Sequence, residues 1–240
     1  MPQVSDLKVK IFADGADFES MMKLYKNPLI KGFTTNPTLM RKAGITDYEA
    51  FARKILAAIP DRPISLEVFA DDFQSMENQA HKIAGWGDNV NVKIPVTNTG
   101  GAFSGELIRR LSSEGVALNV TAVFTQKQVQ RVAEVLHPDA PAIVSVFAGR
   151  IADTGVDPEP LMKDALELLR QRPKAELLWA SPRELLNIFH ADRCGTHIIT
   201  VTHDLLGKLS MIGFDLEAFS LETVKMFHTD AGASQFSIGV

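Results

Sequence analysis

Short apolar runs rich in β-forming residues recur eight times along this chain, with segments of helical spacing between them. They cover residues 9–14, 32–35, 64–69, 90–96, 117–124, 142–149, 176–180 and 197–202. Their spacing of roughly 20–35 residues is close to the ~30 residues of one strand-plus-helix unit. Phe51, Ile55, Leu56 and Ile59 form one helical stripe; Leu161, Ala165, Leu168 and Leu169 form another. Start signals agree: Asp17 precedes the first helix, Thr46-Asp-Tyr-Glu49 has the capping-box pattern, and Asp157-Pro158 opens the helix after strand six. Gly85 and Gly115 are stop signals. A further helix is expected over 216–227, followed by a polar, glycine-containing tail expected to be loosely ordered. No linker, low-complexity tract or shift in composition divides the 240 residues. The pattern therefore predicts an α/β fold: one (β/α)₈ TIM barrel domain over 1–240, with an extra C-terminal helix. The competing architecture is a doubly wound open sheet. That fold usually carries a Gly-rich first turn, whereas the turn here, Asp14-Gly-Ala-Asp17, has a single glycine.

In a barrel, catalytic groups stand at the C-terminal ends of the strands. Strand four alternates strictly, with Asn89, Asn91 and Lys93 on one parity and Val90, Val92, Ile94 and Val96 on the other. One face is wholly aliphatic and must be covered; the other carries Lys93 into a polar interior. A lysine held among polar groups inside a protein can serve as a nucleophilic amine that attacks carbonyls. The other strand ends bring Asp14, Thr34-Thr-Asn36, Glu67, Asn119, Thr121, Ser145, Arg150, Ser181, Arg183, Thr200 and Thr202 to the same mouth. Taken singly, each has a structural explanation: Asp14 could cap a helix, and Asn119 could stitch loops. Isolated charges are expensive to bury, so their convergence points to a site, with Asp14, Glu67 and Lys93 as an acid–base and nucleophile set. Arg150 and Arg183 lie on the loops where barrels often bind phosphate, although a surface pair with Asp153 or Glu184 would also account for them.

A formal charge of −4 gives no global attraction to nucleic acid or anionic membranes. Cys194 is the only cysteine, so no intrachain disulfide can form. The first residues are polar, and no apolar run approaches the ~18 residues of a membrane span, so a cytoplasmic location is expected. The six histidines show no His-x-His or His-Glu-x-x-His spacing, and no metal or cofactor is expected. His203 is taken as a structural or rim residue.

The segments Phe12-Ala-Asp14, Gly32-Phe-Thr-Thr-Asn-Pro-Thr-Leu39, Asn91-Val-Lys-Ile-Pro-Val-Thr97, Asn119-Val-Thr-Ala-Val-Phe-Thr125, Ser145-Val-Phe-Ala-Gly-Arg-Ile-Ala-Asp153 and Ala180-Ser-Pro-Arg183 carry a resemblance. In kind and order they resemble the transaldolase family, particularly its short members, which include the fructose-6-phosphate aldolases. The resemblance spans strands one to seven. It implies Lys93 as the Schiff-base lysine and Asp14 as the group that moves the proton at the C4 hydroxyl. Glu67 and Thr121 would serve carbinolamine formation through a water. Asn36 and Asn119 would hold substrate hydroxyls beside Thr34, Thr35, Ser145 and Ser181, and Arg150 and Arg183 would grip a phosphate. Glu67 and Phe147 match the transferases of the family, whose simple aldolases have Gln and Tyr there. Gly15, His203 and Ser181-Pro182-Arg183 depart from the usual pattern, where Thr, Pro and an aromatic between the serine and the basic residue are commoner.

The implied activity is transfer of a three-carbon unit between sugar phosphates by a homo-oligomer, without nucleic-acid or membrane partners. A simple class I aldolase, an enzyme for another anionic ketose, and a sugar-phosphate-binding barrel without chemistry remain as alternatives.

Overall fold

The computed structural model describes residues 4–234 and 238. Eight parallel strands close into a barrel in sequence order: β1 (Lys10–Asp14), β2 (Ile30–Thr34), β3 (Ile64–Glu67), β4 (Val90–Pro95), β5 (Leu118–Val123), β6 (Ala142–Val146), β7 (Ala175–Trp179) and β8 (Ile198–Thr202). The barrel closes through β8 against β1. This is the expected (β/α)₈ architecture, and closure rules out the open doubly wound sheet.

The helices are α1 (Phe18–Tyr25), α2 (Pro37–Lys42), α3 (Tyr48–Ala58), α4 (Phe73–Ala84), α5 (Gly105–Ser113), α6 (Gln126–Val135), α7 (Ala148–Ala152), α8 (Pro158–Leu169), α9 (Leu186–Cys194), α10 (His203–Leu206) and α11 (Leu216–Ala233). Several begin on the side chains that the sequence marks. Asp17 accepts from Ser20 N–H at the start of α1, and Asp157 caps α8 with Pro158 in its first turn. The cap of α3 is Asp47, which accepts from Ala50 N–H, one residue later than the expected Thr46 box. Three short helices beyond the expected set, α2, α7 and α10, sit in the loops at the barrel mouth, and α2 opens on an Asn36-Pro37 start of the same kind as that of α8. The C-terminal helix runs to Ala233, six residues beyond the expected end. Most of the remaining tail lies outside the described residues.

Two apolar layers follow from strand parity. Outward residues such as Leu66, Val92, Ile94, Leu118, Val120 and Leu177 pack against helix residues such as Met21, Ile55 and Leu107. Inside the barrel, Phe12, Ile143, Leu178, Ala180 and Ile198 form a second cluster, with Phe147 packed on it. Phe12 pairs in register with Gly32, and a Cβ at Gly32 would come 2.6 Å from the Phe12 ring. Glycine at 32 is therefore what lets a phenyl ring fill the barrel below the mouth.

Candidate active site

Register sets the first row of the site. Glu67 on β3 pairs with Lys93 on β4, and Lys93 pairs with Asn119 on β5, so three polar side chains stand abreast on the inner face. Val92 and Ile94, on either side of Lys93, are fully buried in the outer layer, as the alternation requires. Lys93 is only 9% exposed and Glu67 6%. The Lys93 Nζ donates to Glu67 Oε1 at 2.7 Å and to the Thr35 carbonyl at 2.6 Å. Thr35 Oγ1 donates to the other Glu67 oxygen at 3.1 Å, and the Tyr48 hydroxyl fixes the Glu67 carbonyl at 3.1 Å. Burial pushes the Glu67 carboxyl up from its ordinary range, although the Lys93 ammonium and the Thr35 hydroxyl act against it. In so dry a pair, passing a proton from ammonium to carboxylate replaces two buried charges by two neutral groups. That transfer generates a free amine.

The second row lies on β1, β2 and β8, where Asp14 pairs with Thr34 on one side and Thr202 on the other. Thr34 Oγ1 donates to Asp14 Oδ1 at 2.8 Å and touches the Thr200 hydroxyl. Asn36 Nδ2 approaches Asp14 Oδ2 at 3.3 Å, while its Oδ1 caps α2 by accepting from Leu39 N–H. One amide thus starts a helix and orients a carboxylate. Burial raises the Asp14 carboxyl above its ordinary value, opposed by Lys93 and the hydrogen bonds from Thr34 and Asn36. A raised carboxyl is a better proton acceptor, as general base chemistry near neutral pH requires.

Asn119, fully buried, donates to Ser65 Oγ at 3.0 Å and accepts from Ser145 Oγ at 2.7 Å. Beyond it, β5 breaks its alternation. Ala122 has φ +59, and the pairing with β6 slips between Val120 and Val123. Thr121 and Ala122 therefore both line the mouth, and Val123 returns to the outer layer.

The opposite wall is more basic. The Arg150 guanidinium lies 5.1 Å from the Phe147 ring centroid. Arg183 forms a forked pair with Asp153, with Nε at 2.9 and 3.0 Å from the two carboxylate oxygens. This pair lowers the Asp153 carboxyl and raises the guanidinium. Ser181, at φ +63, lies against α7 so closely that a Cβ on Gly149 would fall 1.5 Å from its carbonyl oxygen.

The mouth encloses about 560 Å³. Asp14, Thr34, Asn36, Glu67, Lys93, Asn119, Thr121, Ser145, Phe147, Arg150, Ser181 and Arg183 all line it. Thr35 does not: its hydroxyl turns to the Ser65 carbonyl and Glu67, so it supports the site from behind. Leu178, Ala122 and Pro95 line it without having been marked in the sequence, because apolar residues on a strand carry no chemical signal. Two of the departures from the family pattern touch one another, since the His203 ring occupies the space over Gly15. Among the described residues no group of three His, Cys, Asp or Glu side chains is arranged to hold a metal ion. Among them, too, no helix is long and apolar enough to cross a membrane.

Residues 11–238 match the family model described as Transaldolase/Fructose-6-phosphate aldolase. A "Probable transaldolase" of Dehalococcoides mccartyi is 37% identical over 202 residues, covering 84% of this chain and 90% of that protein. One from Nitrosopumilus maritimus is 33% identical over 92% of this chain and 99% of its own length. A "Probable transaldolase 2" of Listeria monocytogenes is 33% identical over 88% and 98% respectively. A crystal structure of a protein from Burkholderia cenocepacia J2315 superposes with a TM-score of 0.58 over 97% of this chain and 88% of that one. At 11% identity, that likeness concerns the fold alone.

Proposed function

The chain belongs to the transaldolase/fructose-6-phosphate aldolase family of enzymes, and on that premise we propose that it is a transaldolase working through a Schiff base at Lys93. It would move a three-carbon dihydroxyacetone unit from a ketose phosphate, sedoheptulose 7-phosphate or fructose 6-phosphate, to an aldose phosphate. The observation that carries the reading is the 2.7 Å contact of Lys93 with Glu67 in a cavity shared with Asp14.

Glu67 takes the ammonium proton, and the free amine adds to the C2 carbonyl. Glu67, helped by Thr121 and a water, then returns that proton to the carbinolamine hydroxyl, which leaves as water to give an iminium. Asp14 accepts the C4 hydroxyl proton while the C3–C4 electrons pass into the iminium, releasing an aldose and leaving an enamine on Lys93. An incoming aldehyde takes the enamine carbon, Asp14 gives its proton to the new alkoxide, and water frees the product. Thr34, Asn36, Asn119, Ser145 and Ser181 contact the sugar hydroxyls, and Arg150 and Arg183 hold the phosphate. Phe147 places no proton donor near the enamine, which favours transfer over release.

We further propose that the whole chain acts as one domain in the cytoplasm and that α11 packs on a second copy. Support for the last point is that α11 has no buried residue while exposing Leu216, Leu221, Val224 and Phe227. Sedimentation of the chain with and without residues 216–240 would check it.

The central test is borohydride reduction in the presence of fructose 6-phosphate, followed by peptide mass analysis. A three-carbon adduct on Lys93, lost in Lys93→Met, is expected. An adduct on another lysine, or none, would refute the assignment.

A further inference from the structure

His203 is a half-buried titratable group beside the mouth for which the reaction above has no use. It opens α10 directly after β8, the strand whose Thr202 lies beside Asp14. Its ring edge covers Gly15. A Cβ built on Gly15 would meet His203 Nε2 at 2.8 Å, Cε1 at 3.2 Å and Cδ2 at 3.5 Å. The backbone of Gly15 is not in the left-handed region, so this glycine provides space rather than a turn. Its N–H donates to the Thr34 carbonyl at 3.0 Å, which ties the segment to β2 and stops it sliding from under the ring. The Nε2 atom is shut off from solvent and has no hydrogen-bond partner among the described residues. Buried ring nitrogens are normally paired, so this one needs a reason.

The charges facing the ring are Asp14 and Asp17 from the β1–α1 segment and Asp204 on its own helix, and Lys93 faces Asp14 from β4. Burial outweighs the three carboxylates and holds the imidazole below its ordinary range. The ring is thus neutral near pH 7 and becomes a cation on acidification.

We propose that His203 is a positioning residue for Asp14, wedged behind the β1–α1 segment, that leaves Asp14 a competent base while neutral and weakens it once protonated. The inference rests on the role given above to Asp14. A cation arriving beside a carboxylate stabilises its ionised form and so makes it a poorer proton acceptor. The C4 proton still goes to Asp14 during cleavage and returns from Asp14 during ligation. His203 takes no part in that exchange, and only changes how tightly Asp14 holds the proton.

The test compares the pH profile of kcat for transfer with the rate of borohydride-trapped adduct formation from dihydroxyacetone, which needs no proton transfer at C4. In His203→Gln the acid limb of kcat should move to lower pH by about half a unit or more, with trapping unaffected. An unmoved limb overturns the proposal. No adduct in the unaltered chain would instead overturn the functional reading. Should the glutamine variant fail to fold, Gly15→Ala gives a second route. Its methyl would meet the ring at 2.8 Å and should push the β1–α1 segment, and Asp14 with it, out of place, lowering kcat about tenfold or more with little change in KM. Adding His203→Ala should then restore activity at neutral pH while keeping the shifted acid limb. A harmless Gly15→Ala, or a loss that His203→Ala does not relieve, also overturns it.

Discussion

Gly149→Ala tests the contact between the two loops assigned to phosphate. An added Cβ would lie 1.5 Å from the Ser181 carbonyl oxygen and 2.5 Å from its carbon, both backbone atoms that cannot rotate aside. Reaching the 3.4 Å at which ordinary contact begins requires the Ser181 oxygen to retreat by about 1.9 Å. Ser181 is already at φ +63, so little torsional freedom remains to absorb the shift. The displaced segment leads into Arg183, whose fork on Asp153 ties it to the end of α7. Overpacking of this kind destabilises by ~1–3 kcal/mol or more. Loss of one charge-assisted contact to a phosphate should add ~1.5–3 kcal/mol to binding, or roughly one to two decades in KM. The assay compares KM for fructose 6-phosphate with that for unphosphorylated fructose, alongside a thermal melt and dihydroxyacetone trapping at Lys93. The phosphorylated donor should suffer selectively, with trapping retained because Lys93 stands on β4, across the barrel. A variant with wild-type melting and unchanged KM would refute both the loop contact and the phosphate assignment.

Phe147→Tyr should raise dihydroxyacetone release from fructose 6-phosphate without an acceptor, because a phenol would offer the enamine a proton; equal release in both proteins would remove Phe147 from that role. Asp14→Asn should abolish transfer while raising thermal stability at neutral pH. The raised carboxyl favours folding below its unfolded pKa, and that contribution is lost as pH rises through the folded value. Melts at pH 4 and 7.5 should therefore show the gain only at the higher pH, and a lower melting temperature at 7.5 would contradict this. His197, whose Nδ1 accepts Leu177 N–H at 2.9 Å, is held below the ordinary imidazole range by burial. Its contribution is present above the unfolded value and lost as pH falls through the folded one. His197→Gln should flatten the acid loss of stability measured by urea unfolding between pH 7 and 5, and an unaltered slope would count against the buried neutral ring.

Strand parity and their convergence at one mouth made Lys93, Glu67, Asn119 and Ser145 legible together, although each alone has a structural explanation. Parity failed on β5, where one extra residue at Ala122 turns Val123 outward, and no local composition announces a bulge. Thr35 shares the polarity of its neighbours, yet its hydroxyl faces Glu67 and not the cavity; that choice depends on register with β3, a long-range property. The apolar run 64–69 outlasts its strand, since Val68 and Phe69 are strand-forming but β3 ends at Glu67. The Arg183–Asp153 fork was one of two readings the sequence left open. The pairing is observed, so a phosphate at the proposed site would have to share Arg183 with Asp153. Gly15 and His203 looked like unrelated departures until their contact showed one to be the space for the other.

The phenyl ring of Phe12 over Gly32 acts as a stopper: traffic cannot run through the barrel axis, so in the proposed transfer donor, leaving aldose and acceptor would all use the same doorway. A ping-pong exchange through one doorway is a queue. An acceptor present in excess should occupy the mouth before the donor arrives, and crowding by the second substrate would then show as inhibition competitive with the first.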